Sequence, residues 1–435
     1  MIILFYRITN SEESIYSTIL PLHYVSKVFG LAPFTYVKQI LTSGETRIEL
    51  QTSRSATVYS SILCVVVFMS SLSSQINKLN NAFLHKSVTV NIPDILLFSS
   101  FSITSITSLI LTLTINKDKI KSISATLYQV DTILFKNGNK YHRKAKRLLS
   151  LRLIVTFLVI SMAMIFDCTV WTMKYGIKNI SYLHYYLDMT IDWIIVLQFT
   201  NYVILIKDRL KTLHCKLFNL FRYENESVHV TSQNFEEHIT LLLYKRKNSY
   251  TKGQVNNSTH KDVLRYNLTH DLLCDGAKLV ISTYEIQIFL SIISSFMNMT
   301  IWIYFAICFL YDLEKIHDYD VIYLSLSNIF MSFLNLVKLF CITLVSYLAN
   351  REIAKTVMVI RKLLLIRDMN KTILDELHSF SQQAALRQFN ITVLGFLNLD
   401  FSLFCSIIGT ILTYFVILMQ FKISDDTSHQ HLCCL

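Results

Sequence analysis

The chain has 435 residues, 52% of them hydrophobic and only 16% charged, with a mean hydropathy of +0.42. Soluble globular chains carry about 25% charged residues, so the composition excludes a soluble enzyme or binding module and requires a lipid-embedded protein. The net charge of +11 calls for no nucleic acid, because basic loops facing anionic lipid account for it.

At the start, MIILFYRITNSEES offers no basic n-region and an apolar run of about five residues, below the 7–15 of a secretory signal. The next stretch, IYSTILPLHYVSKVFGLAPF, is too interrupted to span a bilayer and reads as an interfacial or re-entrant helix. Seven windows of about 20 apolar residues then follow, at 56–74, 93–115, 149–171, 183–206, 279–311, 321–349 and 394–421. The last three exceed what a bilayer needs, so they tilt or project into the cytosol. Proline stands only at 21, 33 and 93, so no window is broken internally. The organisation expected is a cytosolic segment 1–55, spans one to six over 56–349, a cytosolic anchor 350–393, a last span 394–421 and an external tail 422–435. In the anchor, Ile373, Leu374, Leu377, Phe380, Ala384 and Leu386 follow a partly helical period.

Orientation follows from Lys and Arg. The segment before span one and those after spans two, four and six hold 33 of the 41 basic residues, against 6 in the alternate segments. The N-terminus is therefore expected in the cytosol. Only Asn179 among the glycosylation sequons then lies outside, while Asn225, Asn256 and Asn257 fall in a polar cytosolic loop, 222–265.

Ionisable and polar groups inside spans are costly and default to function. Asp188 and Asp192, four apart on span four, share a face in its outer half with Trp193 beside them. Carboxylates accept hydroxyl protons and an indole face covers sugar C–H groups, so this is candidate polyol chemistry. Asn298 and Trp302 on span five, Ser325 and Asn328 on span six, and Asp167 at the end of span three reach the same depth. Each alone also fits an ordinary interhelical hydrogen bond. Lys338, deeper on span six, either snorkels inward or pairs with a carboxylate.

The last span carries a polar stripe. Ser406, Thr410, Thr413, Ile417 and Gln420 follow steps of four, three, four and three along one face, with Tyr414 and Phe421 on the neighbouring one. Spacing alone is equally compatible with hydroxyls bonded back to their own helix.

The sequence here, TYFVILMQF from Thr413, resembles the TYhhhhhQF signature (h, hydrophobic) closing the last transmembrane helix of insect gustatory receptors, and Gly395-Phe396 with Asp400 upstream suits that family. The resemblance implies an all-α, seven-transmembrane chain of inverted topology, assembled as a homotetramer, or a heteromer with other gustatory receptors, around one central pore. It implies a ligand-gated non-selective cation channel in the plasma membrane of sensory neurons, gated by a tastant. On that reading Thr410, Thr413 and Tyr414 line the pore, Phe421 or Ile417 is the hydrophobic barrier, and Gln420 faces permeating cations. The stretch Tyr24 to Phe34, followed by Thr57-Val58-Tyr59-Ser60, looks like the N-terminal region of the fructose-receptor lineage. A sugar such as fructose is thus the expected ligand, with bitter or other small molecules the alternative.

No cofactor, metal or catalytic chemistry is expected. The chain shows no GxSxG, P-loop, HExxH or dinucleotide fingerprint, and has eight glycines in all. Its nine cysteines lack metal-ligand spacing. A G-protein-coupled receptor is disfavoured by the orientation, and a transporter by the lack of a visible inverted repeat.

Overall fold

A computed structural model describes residues 15–40, 46–85, 88–135, 139–175, 182–221, 257–316, 319–365, 370–387 and 390–433. Asn179, Asn225 and Asn256 lie outside these residues.

The chain opens with α1 (Ile15–Val28), whose buried face is set by Ile15, Ile19, Leu22 and Ser26 at steps of three and four. It ends in a Schellman turn. Gly30 takes the left-handed conformation (φ 74°), while Leu31 N–H reaches Ser26 O (2.8 Å) and Gly30 N–H reaches Lys27 O (3.2 Å). A hairpin of β1 (Phe34–Ile40) and β2 (Thr46–Thr52), with Tyr36 opposite Leu50, returns the chain to α2 (Arg54–His85). The Tyr59 hydroxyl donates to Val28 O at 2.7 Å, tying α2 to the end of α1. The two segments that carry the fructose-lineage resemblance therefore touch each other, and their contacts are those of a chain corner.

Helix α3 (Val88–Leu111) passes through a π-turn (Thr112–Asn116) into α4 (Lys117–Leu134) without leaving helical geometry. The wider turn is served by side chains: Thr114 Oγ1 donates to Ile110 O (2.8 Å) and Gln287 Nε2 to Ser108 O (3.3 Å). The basic segment KDKIKS opens α4 and is thus helical. The remaining long helices are α5 (Asn139–Tyr175), α6 (Tyr182–Leu220), α7 (Asn257–Ile316) and α8 (Tyr319–Leu364). Helices of 60 and 46 residues, α7 and α8 far exceed the ~20 that cross a bilayer, as expected of spans five and six. Six helices are long and apolar enough to cross a membrane among the described residues, and Phe401–Ile417 is a shorter apolar one.

Helix α6 is the axis of the chain, with 89% of its most apolar window buried, whereas α2 and α5, at 22%, present apolar side chains outward. Lipid tails are as apolar as leucine, so packing and interhelical hydrogen bonds hold such helices together rather than solvent exclusion. Serines of α3 supply many of those bonds, to α6 and to α7.

The projecting ends build a second core. Leu217 and Phe218 (α6), Val263 (α7), Val357, Ile360 and Leu363 (α8) enclose Ile373, Leu377, Phe380 and Ala384 of α9 (Lys371–Leu386). Of the period expected in this segment, Leu386 falls off the stripe and is exposed. The Arg209 guanidinium grips Asp131 with two 2.7 Å bonds, joining α6 to α4 in the same region. This end of the molecule is called the anchor end below.

Past α9, Thr392–Val393 (β3) pair with Leu397–Asn398 (β4) in a short hairpin. Its turn holds Leu394 and Gly395 at φ 53° and 73°, incompatible with helix. The last helix, α10 (Phe401–Cys433), therefore starts seven residues after the expected 394.

Candidate functional site

Three polar stripes face inward in the half of the helical bundle away from the anchor end. On α6 they are Tyr185, Asp188 and Asp192; on α7, Ser291, Ser294, Asn298 and Trp302; on α8, Ser325, Asn328, Asn335 and Lys338. All follow helical steps and all are buried. An aromatic and aliphatic cluster joins the helices at this level, with Phe98 and Phe101 of α3, Tyr185 and Trp193 of α6, and Trp302 of α7 among its members.

The two aspartates have different duties. Asp188 accepts from Ser102 Oγ (2.7 Å), Ser105 Oγ (2.7 Å) and Ser71 Oγ (3.4 Å), so its carboxylate is engaged by α2 and α3. Asp192 is ion-paired through Oδ2 with Lys338 Nζ, and both side chains are 0% exposed. The ammonium also lies 5.2 Å from the centre of the Phe101 ring. Lys338 thus takes the carboxylate partner rather than the snorkelling route. Asp167 accepts from Tyr186 Oη (2.7 Å) and Ser327 Oγ (2.5 Å), which makes it an interhelical staple.

Other candidates keep unspent hydrogen-bonding capacity. Asn298 donates to Ser100 Oγ (3.0 Å) and Ser294 O (2.6 Å), but its Oδ1 has no partner within the chain. Asp192 Oδ1, Trp302 Nε1, Ser325 Oγ and both amide atoms of Asn328 are likewise buried and unpartnered. Buried polar atoms are ordinarily bonded, and each left alone costs about 1–3 kcal/mol. Such a set on α6, α7 and α8 is suited to receive a polar, hydrogen-bonding guest beside the Trp193 and Trp302 rings. Sequence reasoning missed Ser71, Ser102 and Ser105; nothing in their spacing separates a serine that reaches another helix from one that bonds back to its own.

On α10, Ser406, Thr410 and Thr413 each donate to the carbonyl four residues earlier, at 2.8, 2.8 and 3.0 Å. They are nonetheless exposed, as are Tyr414, Ile417 and Gln420; Phe421 continues the helix, with its side chain outside the described ones. Ile411 is the one buried residue among the described side chains of 401–420. The helix leans on α7 and α8 through aromatic pairs: Phe296 with Tyr414 (6.2 Å, edge-on), Phe340 with Phe404 (5.6 Å) and Tyr347 with Phe401 (5.0 Å). Tyr414 therefore points toward α7. Asp400 caps the helix, its Oδ1 accepting from Leu403 N–H at 3.0 Å. Among the described residues no group of His, Cys, Asp and Glu is disposed to hold a metal ion.

This architecture is shared with solved structures. The insect olfactory receptor OR5 from Machilis hrabei superposes with a TM-score of 0.58 at 14% identity, over 92% of this chain and 97% of that one. The same receptor in complex with eugenol gives 0.60 at 13% identity over the same shares. The chain matches no curated protein sequence. The family model described as 7tm Chemosensory receptor matches residues 19–425, nearly the whole sequence, and the chain belongs to that family of multi-pass membrane proteins.

Proposed function

We propose that this chain is a gustatory receptor acting as a ligand-gated, non-selective cation channel in the plasma membrane of chemosensory neurons. The N-terminus and the anchor end face the cytosol, in keeping with the basic residues of α4, α5, α6 and α8. Four copies surround a pore lined by α10, and each binds its ligand in the half away from the anchor. The observation that carries the reading is the set of buried, unpartnered polar atoms on Asp192, Asn298, Trp302, Ser325 and Asn328.

That set selects a neutral, hydroxyl-rich molecule with apolar faces, which is the chemistry of a sugar such as fructose. Hydroxyls both donate and accept, so they satisfy the Trp302 N–H and the Asp192 and Asn298 oxygens together. A small-molecule ligand also fits the solved relative bound to eugenol. Ligand contacts on α7 and α8 reach α10 through Phe296–Tyr414 and Phe340–Phe404. A ligand that binds one arrangement of these helices better than the other shifts the pore toward it.

The test is whole-cell current from the chain expressed alone, under G-protein blockade, during perfusion with fructose, other sugars and bitter compounds. A fast sugar-evoked cation current is expected. Loss of a hydrogen bond from the side-chain amide in Asn328→Leu should raise the half-maximal sugar concentration roughly tenfold. Current evoked by bitter compounds alone would retain the channel and replace the ligand; sugar signals that vanish under blockade would overturn the channel.

A further inference from the structure

Helix α5 begins at the anchor end, where His142 lies 3.8 Å from the Asp131 carboxylate that Arg209 grips. His142, Leu149, Leu153 and Ile160 mark its buried side. The opposite side is exposed and changes chemistry once: Lys144 and Arg147 come first, then Leu151, Ile154 and Leu158, each of these three more than half exposed. At about 100° per residue, the five fall within an arc of about 80°. We propose that this face binds one phospholipid with a multiply phosphorylated headgroup, its phosphates on Lys144, Arg147 and Arg152 and an acyl chain along Leu151, Ile154 and Leu158. The site belongs to the leaflet on the anchor side, whichever way the chain is inserted, and does not rest on the channel reading.

Arg152 separates a bound lipid from the loose attraction of basic loops to an anionic surface. It stands inside the third span, half-buried at the edge of the exposed arc, where a cation is costly and calls for a partner. Its Nε reaches back to Leu148 O at 3.4 Å, toward the anchor end. Among the described residues no carboxylate lies within ion-pairing distance of Arg152, Lys144 or Arg147. The carboxylate whose charge reaches Arg152, Asp208, is itself paired with Lys207 at 3.4 Å, and α5 carries no Asp or Glu before Asp167. A guanidinium fork holds a phosphate through two parallel bonds, which a carboxylate-free site leaves open to it. Three cations outnumber the single net charge of phosphatidylserine and suit a headgroup with several phosphates. The apolar part of the same face excludes a soluble inositol phosphate as the occupant, since only an acyl chain covers Leu151, Ile154 and Leu158.

The experiment places the full chain in phosphatidylcholine nanodiscs with a phosphatidylinositol bisphosphate that carries a diazirine in its acyl chain. Both leaflets hold the lipid, so orientation is immaterial. After irradiation, peptide mass spectrometry should find saturable adducts on α5 within residues 148–165. Excess unlabelled phosphatidylinositol bisphosphate should suppress them, and phosphatidylserine should do so roughly tenfold less well. Arg152→Gln and Lys144→Gln should each lower labelling roughly tenfold in protein of wild-type thermal stability; the exposed Lys144 decides alone if Arg152→Gln fails to fold. Labelling that does not saturate, that falls on other helices, or that survives these substitutions overturns the site. Equal suppression by phosphatidylserine would overturn it too, by reducing the face to general charge attraction, and suppression by soluble inositol trisphosphate as complete as by the lipid would show that the acyl chain is not held.

Discussion

The pair of Lys338 and Asp192 shows what a charge inside the bundle demands. Both are fully buried, where an isolated ion is too costly to keep. Their mutual attraction offsets desolvation only while both are present, so removing one leaves an uncompensated charge worth about 3–5 kcal/mol, whereas removing both can be neutral. Lys338→Met or Asp192→Leu alone should therefore lower the unfolding temperature of the purified protein sharply, and the double variant should recover most of the loss. A single variant as stable as the wild type would show that the pair holds nothing. The sequence offered two fates for Lys338 and left the choice open, because helical spacing orders residues along one element and says nothing of its neighbour. For the same reason Asp188 and Asp192 read as equivalent in the sequence, yet three serines engage one and an ammonium the other.

At the level of elements, periodicity was the reliable signal and boundaries were not. Ile120, Ile123, Leu127, Val130 and Leu134 stand at steps of three and four and are all buried on α4; the stripe is legible, but the surrounding lysines hide it from a hydropathy window. The start of α10 was misplaced for the opposite reason, since GFLNLD is apolar enough to extend the span while Leu394 and Gly395 adopt positive φ. The true start is marked by Asp400, whose carboxylate bonds the Leu403 amide and favours the positive end of the helix dipole. Asp400→Ala should cost about 1 kcal/mol at the first turn of α10. Faster hydrogen exchange at Leu403 and Phe404 would report it, together with a shifted open probability at unchanged ligand affinity. Unaltered exchange at those amides would mean that the packing of Phe401 and Phe404 on α8, not the cap, fixes the turn.

In the whole molecule, α6 and α10 are extremes: one is enclosed by its own chain, while the other leans on two helices and shows both polar and apolar side chains. Leu412 is 58% and Tyr414 50% exposed, beside Thr410, Thr413 and Gln420. Lipid alone suits the leucine but leaves the amide of Gln420 without a partner; water alone suits the amide but not Leu412, Val416 and Ile417. A closed ring of copies satisfies both, with apolar flanks against neighbouring subunits and the polar stripe toward an aqueous axis. For the proposed tetramer, the purified chain is expected at the mass of four copies, and a monomer in a native-like bilayer would remove the basis for a shared pore. Within the ring, Gln420→Ala deletes the amide nearest the expected barrier at Ile417 or Phe421. It should change single-channel conductance while the sugar concentration giving half-maximal current stays put, because the proposed ligand-binding atoms lie on α6, α7 and α8. Unchanged conductance would take Gln420 off the ion path, and a shifted half-maximal concentration at constant conductance would make it part of the gating equilibrium instead.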